Sequence, residues 1–106
     1  MINCICVVQQ GQSPDNRSAE LKGLLNHFSS ASFGDVAEVA WIPVAPGNGF
    51  TAGKPSTSSV VSFTSGEALQ PEHRETLLRE LVALWTDATG CSVDEIVAVI
   101  ADPATH

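Results

Sequence analysis

Residues 69–103, LQPEHRETLLRELVALWTDATGCSVDEIVAVIADP, decide how the rest of the chain is read. Pro71 suits the first position of a helix, where a missing N–H costs nothing. Leu77, Leu78, Leu81, Leu84, Trp85 and Ala88 then recur at three- and four-residue spacing, which gives a helix with one broad apolar face. Gly90 marks its stop. After a short turn, DEIVAVIADP reads as a strand. The stretch is therefore a helix, a turn and a strand, whose apolar surfaces need further strands to cover them.

The same order occurs earlier in the chain. Residues 3–8 read as a strand, apolar enough to be central in a sheet. Ser13, Pro14 and Asp15 carry helix-start signals, and Leu21, Leu24, Leu25 and Phe28 continue at helical spacing up to Gly34. Residues 36–44, VAEVAWIPV, read as the next strand, with Pro43 marking an edge or a bulge. Residues 45–59, APGNGFTAGKPSTSS, form a hairpin or ordered loop anchored by Phe50, and SSVVSFTSG supplies another strand. Pro14 and Pro71 are 57 residues apart, and the same offset carries Leu21 to Leu78, Leu24 to Leu81, Phe28 to Trp85 and Val39 to Ile96. The 106 residues thus read as one α+β domain of two β-α-β units, unit one about 1–56 and unit two about 57–106. Each unit alone has a thin core; joining their strands in one mixed sheet of four main strands, with both helices on one face, solves that. Two architectures fit this order, a ferredoxin-like sandwich and a pair of units related by a pseudo-two-fold axis.

Composition narrows the function. The net charge is −7 with only 16% charged residues, which argues against nucleic acid and anionic membrane surfaces as partners. It also disfavours an anionic substrate unless the few cations converge. Cys4 and Cys6 lie on one face of the first strand, and with Cys91 make an odd count; they read as small buried apolar groups in a reducing, cytoplasmic protein. Neither a leader nor a membrane-spanning run is expected. No metal-ligand spacing and no phosphate-binding loop stands out, so neither a metal nor another cofactor is expected. The glycines of GNGF allow close backbone approach to a ligand or a neighbouring subunit.

Residues 36–66, VAEVAWIPVAPGNGFTAGKPSTSSVVSFTSG, resemble the second strand and glycine-rich hairpin of the tautomerase superfamily. Residues 71–103 are similar to its helix, short turn and following strand. The likeness is to fused two-unit members, the fused 4-oxalocrotonate tautomerases and the cis-3-chloroacrylic acid dehalogenase group, and spans nearly the whole chain. It implies the pseudo-two-fold architecture, a homotrimer, and an N-terminal amine acting as general base on a small carbonyl or enol compound. By that resemblance the catalytic candidates are Met1, whose retention is expected before the bulky Ile2, and His27. From the residues themselves the substrate-binding candidates are Arg74, Trp41, Phe50 and Phe63, with Trp41 and Phe63 reading first as core or interface residues of their strands. The chain departs from the family pattern in three places. Met1 stands in place of the family's proline, Glu67 and Gln70 fall near its two arginines, and Glu38 near the arginine of the second strand. His73 and Arg79 read as solvated, and His106 as a mobile end. Three readings stay open: a tautomerase-class enzyme, a non-catalytic trimer of the same fold, and a ferredoxin-like ligand-binding module.

Overall fold

The computed structural model describes residues 1–12 and 18–103. The expected helix start at Ser13, Pro14 and Asp15, and His106, lie outside the described residues. Strand β1 (Ile2–Gln9) alternates: Ile2, Cys4 and Cys6 are buried, while Asn3 and Ile5 are exposed. It lies inside a four-stranded sheet of order β2-β1-β5-β6, completed by β2 (Ala37–Val44), β5 (Ser59–Thr64) and β6 (Ile96–Ala101). β1 pairs with β2 in parallel, from Ile2 opposite Ala37 to Gln9 opposite Val44, and β5 pairs with β6 in parallel. The two pairs join through an antiparallel β1–β5 ladder, Cys4 opposite Phe63 and Cys6 opposite Val61.

That pairing removes one of the two candidate architectures. In a ferredoxin-like sandwich the third main strand separates the first two, as a split β-α-β unit. Here the first two are direct neighbours over their whole length, and the antiparallel seam relates two equivalent units.

Helices α1 (Ser18–Phe33) and α2 (Pro71–Thr89) are the crossovers that parallel strands require. Leu21, Leu25 and Phe28 of α1, with Leu77, Leu81 and Trp85 of α2, pack on Cys4, Cys6, Val61, Phe63 and Ile100. Both helices thus cover one face. Phe28, Phe33 and Phe63 form an aromatic cluster with centroids 5.4–6.0 Å apart. Gly34 and Gly90 end the helices in the left-handed region, with φ of 75° and 76°. The Gly90 N–H closes the last turn of α2 onto Thr86 O at 2.8 Å.

The internal repeat is real, but its offset is not constant. Burial matches Cys4 to Val61, 57 residues apart, yet Leu21 to Leu77 and Leu25 to Leu81, like the glycines 34 and 90, are 56 apart. Beyond the helices a 3-10 turn at Val93–Glu95 separates α2 from β6, whereas only residues 34–36 separate α1 from β2. The register therefore moves Val39 onto Ala98 rather than Ile96. A second insertion is the small hairpin of β3 (Phe50–Thr51) and β4 (Lys54–Pro55), turning through Ala52 and Gly53, both at positive φ. Phe50 is 65% exposed there, so it does not anchor this loop within the chain.

Among the described residues no element covers the opposite face of the sheet. Ile42, Val7, Val60 and Val97 stand in one row across all four strands, and Ala40, Ile5, Ser62 and Val99 in the next. Glu38 is the only charged residue among the outward positions of the four strands.

Candidate functional site

The N-terminal end of β1 is held by a set of local bonds. Ile2 N donates to Val36 O at 2.9 Å, and Asn26 Oδ1 accepts from Ala37 N at 2.8 Å. Ser29 Oγ donates to Asp35 O at 2.7 Å, tying the turn after α1 back to the helix. Asp35 is consequently fixed, with Oδ1 accepting from Val36 N at 2.8 Å and Oδ2 paired with the Met1 ammonium at 2.7 Å. The ammonium contact first, and the Val36 N–H second, hold the Asp35 carboxyl below the usual carboxylate range. Both partners keep more than half of their side chains in solvent.

At the same end of the sheet lies a cavity of about 320 Å³ lined by Ser32, Phe33, Ser65, Gly66, Glu67 and Leu69. Ile2 supports it from behind, since a Cβ on Gly66 would sit 3.8 Å from Ile2 Cδ1. Ser65 Oγ donates to Glu67 O, and Ser65 N to Ala101 O, so the loop after β5 is shaped by its own bonds and by β6. None of the described lining residues is cationic.

The six residues singled out from sequence scatter. Met1 is at this end of the sheet. His27 is exposed on α1 and lines neither this cavity nor the one described next. Arg74 is already engaged: it donates to Ile100 O at 2.6 Å and Leu69 O at 3.2 Å, and pairs with Asp102 Oδ1 at 2.6 Å. It ties α2 to the end of β6. The Leu69 N–H, and then Arg74, keep the Asp102 carboxyl below its ordinary range. Trp41 is half-buried against the core, and Phe50 projects from the β3–β4 hairpin. Phe63 has 0% exposure, so it is a core residue with no surface to offer a substrate; Phe33, packed against it with ring centroids 5.7 Å apart, is the ring that reaches the cavity.

The opposite end of β1 carries a second cavity of about 450 Å³. Its framework is Gln12, which sequence reading passed over. Gln12 Nε2 donates to Thr57 O at 2.9 Å and to Glu95 O at 2.8 Å, and Oε1 accepts from the indole N–H of Trp85 at 2.8 Å. One amide thus joins the end of β1, the approach to β5, the 3-10 turn and α2. Asp35 and Gln12 were missed because a single Asp or Gln in a turn carries no pattern. The one available signal for Asp35 was its place just after the helix-ending Gly34. Cys4 and Cys6 are thiols with sulfurs 3.8 Å apart; their mutual hydrogen bond and then burial push Cys6 well above the usual thiol range, which makes it inert. Among the described residues no group of three or more His, Cys, Asp or Glu is gathered as a metal site would need, and no helix is long and apolar enough to cross a membrane.

By sequence, no family model and no curated protein matches the chain. Solved structures do match its shape. A fused 4-OT, solved as a wild-type symmetric trimer, superposes with a TM-score of 0.80 at 17% identity, over 95% of this chain and 85% of that one. The chain has the tautomerase fold. The same fold is seen in N1, a member of the cis-3-chloroacrylic acid dehalogenase family, at a TM-score of 0.80 and 14% identity, over 95% of this chain and 74% of that one. It is seen again in Pt0534 inactivated by 2-oxo-3-pentynoate, at a TM-score of 0.82 and 18% identity, over 95% and 85%.

Proposed function

We propose that the chain is a tautomerase-superfamily homotrimer that interconverts the enol and keto forms of a small neutral carbonyl compound, with Met1 and Asp35 moving the protons. The observation that carries this reading is the 2.7 Å pair between the Met1 ammonium and a fixed Asp35 carboxylate, at the cavity end of β1. The proposal takes Met1 Nα as the terminal amine. In the ketonising direction the ammonium gives a proton to the enol carbon and the carboxylate takes the enol O–H proton. The proton then crosses from carboxyl to amine and restores the resting ion pair. In the enolising direction the amine is the general base. A primary amine serves here where the resembled family uses proline.

Charge supports a neutral substrate. Asp35 and Glu67 repel a carboxylate at this end, and Arg74 is occupied by Ile100, Leu69 and Asp102. The bare apolar rows of the sheet support assembly, since a face of this kind marks an interface. The symmetric trimer of the fused 4-OT supports three copies in particular. Three free thiols suit a reducing compartment such as the cytoplasm.

The test compares ketonisation of methyl phenylenolpyruvate with that of phenylenolpyruvate, using the intact protein and protein acetylated at Met1 Nα, each verified by mass. The ester should be turned over, faster than the acid, and acetylation should abolish the rate enhancement. Turnover that survives acetylation would sink the mechanism. A second reading, a non-catalytic trimer, is favoured by the open setting of the Met1–Asp35 pair, both partners being more than half exposed. No enhancement with either substrate would select it.

A further inference from the structure

The two cavities are related by the internal two-fold, and the larger one has been rebuilt. Aligning the helix-ending glycines 34 and 90 places Phe33 opposite Thr89. Aligning β1 with β5 places Gln9 opposite Gly66 and Gln10 opposite Glu67. Phe33, Gly66 and Glu67 line the smaller cavity, and Thr89, Gln9 and Gln10 the larger. Where Phe33 fills its end with a ring, Thr89 leaves space, which accounts in part for 450 against 320 Å³.

Both segments that break the repeat converge on the larger cavity. The β3–β4 hairpin and the loop before it bring Pro46, Gly47, Pro55 and Ser56, and the 3-10 turn brings Glu95. The Gln12 amide fixes the floor by binding Thr57 O and Glu95 O. Ser92 N donates to Glu95 Oε1 at 3.0 Å, and the box formed by these two residues holds the carboxylate in place. The Ser92 N–H first, and the Thr57 hydroxyl, keep Glu95 below the usual carboxylate range, so it is charged at neutral pH. A carboxylate has about four lone-pair positions, which leaves acceptor capacity beyond these bonds. Among the described lining residues there is no Lys, Arg or His to neutralise it, and much of the wall is apolar. The volume lies within the range of small-molecule sites.

From this geometry we infer that the cavity between the Gln9–Gln12 segment, the hairpin and the 3-10 turn binds a small organic ammonium, its charged head on Glu95 and its apolar body against Pro46 and Pro55. The inference is independent of the Met1 site. It concerns the opposite end of the sheet and requires no catalysis.

Cys91 lines the same cavity, which provides the readout. Cys4 and Cys6 are 1% and 0% exposed, so Cys91 should be the thiol that iodoacetamide alkylates in the folded protein. Three probes of one shape and different charge are compared: benzylammonium, benzyl alcohol and benzoate. Benzylammonium should slow Cys91 alkylation saturably and bind about fivefold or more tighter than benzyl alcohol, with benzoate giving no protection. Glu95→Gln, which keeps the oxygen facing Ser92 N, should reduce the ammonium preference to within about twofold. As a variant-free check, benzylammonium should shift the amide resonances of Gln10, Gly11 and Gly47 in the wild-type protein, and benzoate should not. Equal protection by alcohol and ammonium, protection by benzoate, or no saturable effect of benzylammonium would each overturn the assignment.

Discussion

Replacing Gln12 by Leu tests whether one amide holds together the end of the molecule where the repeat is broken. The substitution keeps the size but removes three hydrogen bonds, at 2.8–2.9 Å, from one side chain. The consequences differ by partner. Trp85 is 0% exposed, so its indole N–H would face leucine methyls with no acceptor, a loss of about 1–3 kcal/mol. The carbonyls of Thr57 and Glu95 border an open cavity where water can replace the lost donor, so each costs at the low end of about 0.5–1.5 kcal/mol. The expected destabilisation is about 2–4 kcal/mol, roughly 10–20 °C in melting temperature for a domain of this size. Urea unfolding followed by tryptophan fluorescence at fixed protein concentration measures it, with an unchanged denaturant slope. In a Trp85→Phe background the orphaned donor no longer exists, and Gln12→Leu should cost at least about 1 kcal/mol less. A single-variant effect below about 0.5 kcal/mol, or an identical cost in the Trp85→Phe background, would refute the argument.

Other consequences concern the ends and the open face of the sheet. Arg74→Ala should destabilise the chain by about 1–3 kcal/mol, because two backbone carbonyls and Asp102 lose their donor; denaturant titration showing no change would mean Arg74 is free. Asp35, Glu95 and Asp102 all have depressed folded pKa values, so the unfolded chain binds protons first. Their contribution is complete above the unfolded values of about 3.9 for Asp and 4.3 for Glu, and fades as pH falls through the folded ones. The urea midpoint should thus decline below about pH 4.5, less steeply in the triple variant Asp35→Asn, Glu95→Gln, Asp102→Asn; an equal decline in both would assign the acid response elsewhere. Val97→Asp places a charge in the row Ile42–Val7–Val60–Val97. Light scattering should then show a particle of one 11.1 kDa chain where the proposed wild-type trimer should show three. An unchanged mass would place the interface elsewhere.

The architecture was legible because its signals are periodic. Apolar residues at helical spacing, proline at the start of α2, glycines at the ends and a repeated order gave two β-α-β units. What the pattern left open was strand adjacency, which depends on ladders between distant residues and was decided by Ile2 lying opposite Ala37. A constant offset of 57 overlooked the 3-10 turn, because a turn of Ser, Val, Asp and Glu has no apolar period to count. The site was less legible. Phe63 and Arg74 are types that often face ligands, yet the alternation of β5 turns Phe63 inward and the carbonyls of Leu69 and Ile100 take Arg74. Asp35, Gln12 and Glu95 act through a few hydrogen bonds each, three in the case of Gln12, that are set by folding and leave no trace in composition or spacing.

The claim that Met1 and Asp35 move protons in one pair is tested most directly by the stereochemistry of proton delivery. Methyl phenylenolpyruvate is ketonised in D2O and the product trapped at once by reduction of its ketone. Delivery from the Met1 ammonium predicts an excess of one configuration at the deuterated carbon, lost when the amine is acetylated and diminished in Asp35→Asn. Racemic product at the uncatalysed rate, or the same excess from acetylated protein, would contradict the account.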